Sequence, residues 1–259
     1  MKYKEMLEIA LKQSAIDMNC DKEDLLDKED KIVIHKLKED RKLYYKEKLF
    51  FHAIQYGYAT VIATQPEFLE ETKRMVKKFH GFRIFDMPQV SFINEALKPY
   101  DKCITHFAEY YLFDPDKDVE VNQELAIDIL EYDDVFELYK YPGFINAMSY
   151  KKDNPQKDII AAIYKESEDM VGIAAASTDA LDMWQIGIDV LETHRNKSIA
   201  KTLVNRLAKE IIKRGKVPFY CTSWSNIASR KTALASGFRP TWVEMTAKDI
   251  KYAKKIANY

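Results

Sequence analysis

The feature that most constrains the fold is a strand, turn, helix and strand in unbroken succession late in the chain. Met183 to Leu191 (MWQIGIDVL) reads as an apolar strand. A long amphipathic helix comes next, with Ile199, Leu203, Val204, Leu207, Ile211 and Ile212 recurring on one face. Gly215 ends it as a C′ residue, and Val217 to Thr222 is the next strand. Two strands joined through a full helix can lie parallel. Upstream, Asp158 to Tyr164 and Met170 to Ala176 are strands with short links, which pair antiparallel. Leu125 to Leu130 opens this half as a strand, and Tyr132 to Ser149 reads as mostly helical. Asn226 opens a short helix ending at Gly237, and Thr241 to Met245 is a closing strand. The pattern predicts an α+β fold with a mixed, mostly antiparallel sheet flanked by helices.

The first half also mixes helices and strands. Met6, Ile9, Ala10, Ala15 and Met18 recur at helical spacing, and Asp21 is placed to cap a short helix. Lys31 to Leu37 alternates as a strand does, and Leu49 to Thr64 is strand-rich with Gly57 as its turn. A helix from Pro66 ends near His80-Gly81, another spans Pro88 to Leu97, and Ile104 to Phe113 is a strand. The polar stretch DPDKDVEVNQ, Asp114 to Gln123, reads as a linker. This gives a smaller α/β domain over residues 1–118, of no assignable role, and a second domain over 119–259. A degenerate copy of the second fold is an alternative for the first.

Composition excludes several classes. A net charge of −1 argues against a general nucleic-acid binder. The three cysteines, Cys20, Cys103 and Cys221, are far apart and show no CxxC spacing, so neither a disulfide framework nor a metal site is expected. The charged N-terminus reads as an amphipathic helix and not a secretory signal. No apolar run approaches a membrane span, and a cytoplasmic location is expected.

The chemistry-bearing segment is IGIDVLETHRNKSIAKTLVNRLAKEIIKRGKVPFYCTSWSNIASRKTALASGF. A strand ends at Leu191 and a helix starts near Lys197. A helix N-terminus after a tight turn presents unpaired N–H groups and a positive dipole end, which suits a pyrophosphate. Arg195 to Ala200 is similar to the acyl-CoA loop of the GNAT superfamily: Gln or Arg, two residues, Gly, one residue, then Gly or Ala. Ile188 and Val190 occupy the apolar strand positions before that loop, and Asn226 with Gly237-Phe238 resembles the family's closing signature. The resemblance covers about half the chain, roughly residues 120–247. It implies an N-acyltransferase moving an acetyl group from acetyl-CoA to an amine of a small molecule or protein. It also implies that the strands either side of the long helix splay to admit the pantetheine arm. Val190 would bond pantetheine or the acyl carbonyl, and Asn196, Lys197, Ser198, Ile199 and Ala200 would hold the pyrophosphate. Asn226 would contact pantetheine.

The family pattern is broken in two places. Asn196 and Ser198 stand where glycine is usual, and Ala233 stands where many relatives carry a tyrosine that protonates the departing thiolate. Ser229 or water is the replacement expected. Asp182, Asp189 and Glu192 are the base candidates, and the resemblance favours Asp182, because several relatives place a carboxylate at the opening of this strand; it also shares strand parity with Val190. The alternative to an enzyme is an acyl-CoA-binding sensor or scaffold without turnover.

Overall fold

The computed structural model describes residues 1–79, 81–149 and 157–257. Its regular elements are α1 Tyr3–Met18, β1 Lys31–Ile34, β2 Phe51–Gln55, β3 Thr60–Thr64, α2 Leu69–Lys78, α3 Met87–Leu97, β4 Lys102–Phe113, β5 Ile127–Glu131, α4 Asp133–Phe136, β6 Asp158–Glu166, β7 Asp169–Ser177, β8 Met183–Val190, α5 Ile199–Lys213, β9 Val217–Ser223, α6 Ile227–Ala235, β10 Phe238–Asp249 and α7 Ile250–Ala257. The fold is mixed, with mostly antiparallel strand pairing and flanking helices.

The chain forms two compact units, and neither is continuous in sequence. The first comprises 1–10 and 111–240, the second 11–110 and 241–259. A sequential division at 118/119 was expected, but the crossing lies inside β4, and the C-terminal residues join the second unit. Asp114 to Gln123 is not a free linker. Asp114 N–H donates to the Gly237 carbonyl at 2.9 Å, Lys117 Nζ to the Leu234 carbonyl at 2.9 Å, and Asn122 N–H to Thr202 Oγ1 at 3.1 Å. Polarity marked this stretch as a connection. Its partners, all distant in sequence, fix it to the first unit.

In the first unit the strand order is β9-β8-β7-β6-β5. β5 to β8 form an antiparallel meander and β9 lies parallel to β8. The apolar stripe of α5 covers one face: Leu203, Val204, Leu207, Ala208 and Ile211 are fully buried against Val171, Ala174, Ile186 and Tyr220. Each large apolar side chain among them contributes roughly 1.5–3 kcal/mol by burial. The other face packs Ile163, Met170 and Ile173 against Val135, Leu138, Phe144 and Met148. The mostly helical segment expected over Tyr132–Ser149 is α4, a 3₁₀ turn at Glu137–Lys140, and then irregular chain. Pro142-Gly143 stops helical propagation, and residues 144–149 are held instead by side chains of the sheet.

In the second unit the order is β1-β3-β2-β10-β4. β1 is parallel to β3, while β2 runs antiparallel to β3 and to β10. Every residue of β2 and β3 is buried. Phe51, Ile62, Phe68, Ile93, Leu97 and Met245 form the core with α2 and α3. β10 extends well beyond the Met245 end that its sequence suggested, and α7 was not anticipated. The helix end expected at His80-Gly81 falls partly on His80, which lies outside the described residues. No described helix is long and apolar enough to cross a membrane.

Candidate functional site

β8 and β9 separate like the arms of a V. They pair only at Met183↔Val217, Trp184↔Pro218 and Gln185↔Phe219. On its other side β8 stays paired with β7 out to Gly172↔Val190. Backbone groups along a strand point alternately to its two sides. The stretch Ile186–Val190 therefore turns unpaired N–H and C=O groups toward the gap, opposite Tyr220–Ser223.

At the wide end of the V the chain turns through Glu192–His194 into α5. Asn196 has φ +65° and Ser198 φ +60°, both left-handed. These are the two positions where a glycine was expected and is absent. Ser198 is the N-cap residue but makes no side-chain cap bond. Thr202 N–H is the first of α5 bonded back across the start, to the Ser198 carbonyl at 3.0 Å. The N–H groups from Asn196 to Ala200 precede it and lie where a helix start leaves donors free. Arg195 and Lys197 flank Asn196, Lys197 exposed and Arg195 near Glu192 at 3.6 Å. Ile199 is buried in the α5 core and contributes only its backbone.

The side chains of β8 divide by parity. Ile186, Ile188 and Val190 face the α5 core. Gly187 and Asp189 face the irregular segment after α4. A Cβ on Gly187 would collide with the Asn146 carbonyl oxygen, so only glycine admits that backbone. Asp189 accepts from Asn146 N–H at 2.6 Å, Asn146 Nδ2 at 2.7 Å and Ala147 N–H at 2.9 Å. That carboxylate is a clamp for the 144–148 segment, its two oxygens committed to three donors. Beyond the clamp, Tyr141, Phe144, Glu166, Asp169, Met170, Leu191 and His194 line a pocket of ≈ 440 Å³.

Asp182 is not brought to the opening. It is exposed before β8, its carbonyl accepts from Val217 N–H at 2.8 Å, and its carboxylate pairs with Lys216 at 2.9 Å. This is the closed end of the V. Val190 is eight residues on, about 26 Å away along an extended strand. Parity with Val190 holds, but it points the wrong way, because that face is packed on α5.

On the β9 side, Asn226 caps α6 by accepting from Ser229 N–H at 3.1 Å. Ser229 Oγ lies 2.9 Å from the hydroxyl of Tyr220. Tyr220 is the first residue past the fork, 3% exposed, and burial raises its pKa, so it keeps its proton at neutral pH. Sequence reading missed it. The resemblance directed attention to the Ala233 position on α6, which is fully buried, and no spacing rule links Tyr220 to Ser229.

The FR47-like protein family model matches residues 166–246. No curated protein matches the sequence. Among solved structures, the chain is similar to a GCN5-related N-acetyltransferase from Kribbella flavida (14% identity, TM-score 0.45, 60% of this chain and 63% of that one). It is similar to a GCN5-related N-acetyltransferase-like protein from Streptococcus suis (12%, 0.46, 78% and 82%). The yncA protein of Salmonella typhimurium, solved with its cofactor acetyl-CoA, gives 14%, 0.34, 48% and 94%. The Kribbella protein is thus matched over less than two thirds of its length, and all three TM-scores are too low to carry function across. The FR47-like match spans the splayed pair, the loop at its mouth, α5 and the capped α6, which are the elements that build the site.

Proposed function

We propose that the first unit is an N-acyltransferase that takes an acetyl group from acetyl-CoA and delivers it to an amine, in the cytoplasm. The observation that carries this is the V between β8 and β9, with the free donors of the α5 start at its mouth. Both halves fit the cofactor. Amide groups of a pantetheine arm can complete the unpaired edge from Ile186 to Val190, and the N–H groups of Asn196 to Ala200 suit a pyrophosphate. When bound, acetyl-CoA supplies an activated thioester. The 144–148 segment, clamped over the Gly187–Asp189 face, then forms one wall of the acceptor side, where orientation contributes much of the rate.

Tyr220 is the proton donor in this reading. Its hydroxyl sits at the fork, protonated, and Ser229 Oγ orients it and can return a proton from solvent. The incoming amine must lose a proton to attack. Asp182 and Asp189 are engaged elsewhere, which leaves Glu192 at the mouth, water or a strand carbonyl at the gap to accept it. The direct experiment is acetyl-CoA consumption with a panel of amines, alongside calorimetric CoA binding. Tyr220→Phe should lower kcat on the order of 10²-fold and leave the Kd for CoA unchanged. Equal kcat in the two proteins removes Tyr220 from the mechanism.

The second reading is an acyl-CoA-binding protein without turnover. It is favoured by the engagement of the two aspartates flanking or within β8, Asp182 with Lys216 and Asp189 with the 144–148 segment. Saturable CoA binding with no acetyl transfer to any amine selects it. Failure to bind CoA at all removes both readings.

A further inference from the structure

The second unit buries an ammonium group inside a cage of rings and carboxylates for which acyl transfer has no use. Lys42 is 1% exposed. Its Nζ lies 3.3 Å from Asp17 Oδ2 and 3.2 Å from Glu244 Oε1. The rings of Tyr44, Tyr45, Tyr110 and Trp242 have centroids 5.8, 5.9, 5.5 and 5.6 Å from it. Trp242 in turn stacks with Tyr110 at 4.9 Å and with Tyr56 at 5.3 Å. Tyr44 and Tyr45 belong to the same segment as Lys42; the Tyr110 and Trp242 rings and the two carboxylates come from other elements and form the fixed part of a recognition site for an ammonium group.

The walls outside the 35–50 segment are pre-organised: Glu244 accepts from Trp242 Nε1 at 2.8 Å, and Asp17 accepts from Gln13 Nε2 at 3.1 Å. Asp17 stands on α1, Tyr110 on β4, and Trp242 and Glu244 on β10. The occupant arrives differently. Lys42 lies between β1 and β2 in residues 35–50, which contain no regular helix or strand. Irregular segments of that length are uncommon in compact domains and are usually functional. Lys36, Lys38, Glu39, Asp40, Lys46, Glu47 and Lys48 are exposed along it. Lysine is a poor choice for an anchor, because taking an ammonium out of water costs several kcal/mol and an apolar side chain would hold the loop at no such cost. The cage is therefore built around the charge of its occupant and not around the loop that carries it.

We propose that this cage is a binding site for the primary alkylammonium group of an external amine, with Lys42 as its resident occupant, displaced when the 35–50 segment opens. The inference stands on the second unit alone and does not depend on acyl transfer. The probe is n-butylammonium chloride, which copies the lysine side chain; n-butanol is its uncharged counterpart, and sodium chloride controls ionic strength. Full-length Lys42→Ala should bind n-butylammonium saturably, with a rise in Tm that n-butanol does not produce. In the unaltered protein n-butylammonium should speed amide hydrogen exchange within 35–50, and n-butanol should not. A folded Lys42→Ala that binds neither probe, or both alike, overturns the proposal. If Lys42→Ala does not fold, the exchange experiment decides, and unchanged exchange in 35–50 overturns it equally.

Discussion

At φ +60° the Cβ of Ser198 crowds its own backbone, a conformation that costs an ordinary residue roughly 1–2 kcal/mol and glycine almost nothing. The loop therefore holds a backbone geometry that suits glycine while carrying a side chain. Ser198→Gly should stabilise the protein by about 1 kcal/mol in thermal unfolding, with CoA affinity equal or better. Ser198→Glu should remove detectable CoA binding in calorimetry, since a carboxylate would then face the pyrophosphate; normal binding would mean the phosphates lie elsewhere. Sequence reading located this loop because its residue types and spacing are local. Asp182 was preferred for equally local reasons, its place at the opening of the strand and its strand parity with Val190. Parity says which face a side chain takes, but not what covers that face or where along the strand its neighbour departs. Those depend on Lys216 and on the fork at Gln185↔Phe219, which are tertiary facts.

The elements that hold the site are β8 and the irregular chain laid across it. Gly187 lets the Asn146 backbone approach, and Asp189 ties it down. Gly187→Ala should cost about 2 kcal/mol or more, because backbone must move and not a flexible side chain. Asp189→Ala should act on the other half of the pair. It leaves donors of Asn146 and Ala147 without their acceptor, so the segment loosens, and the KM for the amine should rise several-fold while the Kd for CoA hardly changes. Equal losses in both constants would show that Asp189 supports the cofactor side as well. The meander, α5 and the α6 cap were legible in the sequence because each has its own periodicity or cap residue. The 141–149 segment was not. Its apolar residues, Phe144, Ala147 and Met148, mimic a helical stripe but are buried one by one under clamps from Asp189 and Asp158. The return of β10 to the second unit was equally hidden, since a strand's partners are not written in its own composition.

Across the whole molecule, stability has two independent levers. CoA at a hundredfold excess over its Kd should stabilise by about 2.7 kcal/mol, a Tm rise of roughly 5–10 °C for a chain of this size. Acid should act through the second unit. His35 is 2% exposed, and neither ring nitrogen has a hydrogen-bond partner among the described residues. Burial, reinforced by His52 and Lys48, pushes its pKa down from 6.5 to about 4. Burial also lowers that of His106, with Glu244 opposing. Glu244 itself, despite burial, is held well below the carboxylate range by Lys42, His52 and Tyr45, so the histidines respond before it as pH falls. A base with a depressed folded pKa is neutral in the native state while the unfolded chain takes up a proton. Its contribution is therefore intact above pH 6.5 and is lost as pH falls from there toward about 4. Thermal unfolding of the full chain at about pH 7.5, 6 and 5 should show Tm falling by several degrees over that range. His35→Leu should flatten the dependence. At the highest of these pH values it should be neutral or stabilising, since it removes two buried nitrogens that make no bond and replaces them with apolar surface. If His35→Leu loses Tm with acid as steeply as the unaltered protein, His35 is not the group that titrates, and His106→Leu becomes the variant to measure.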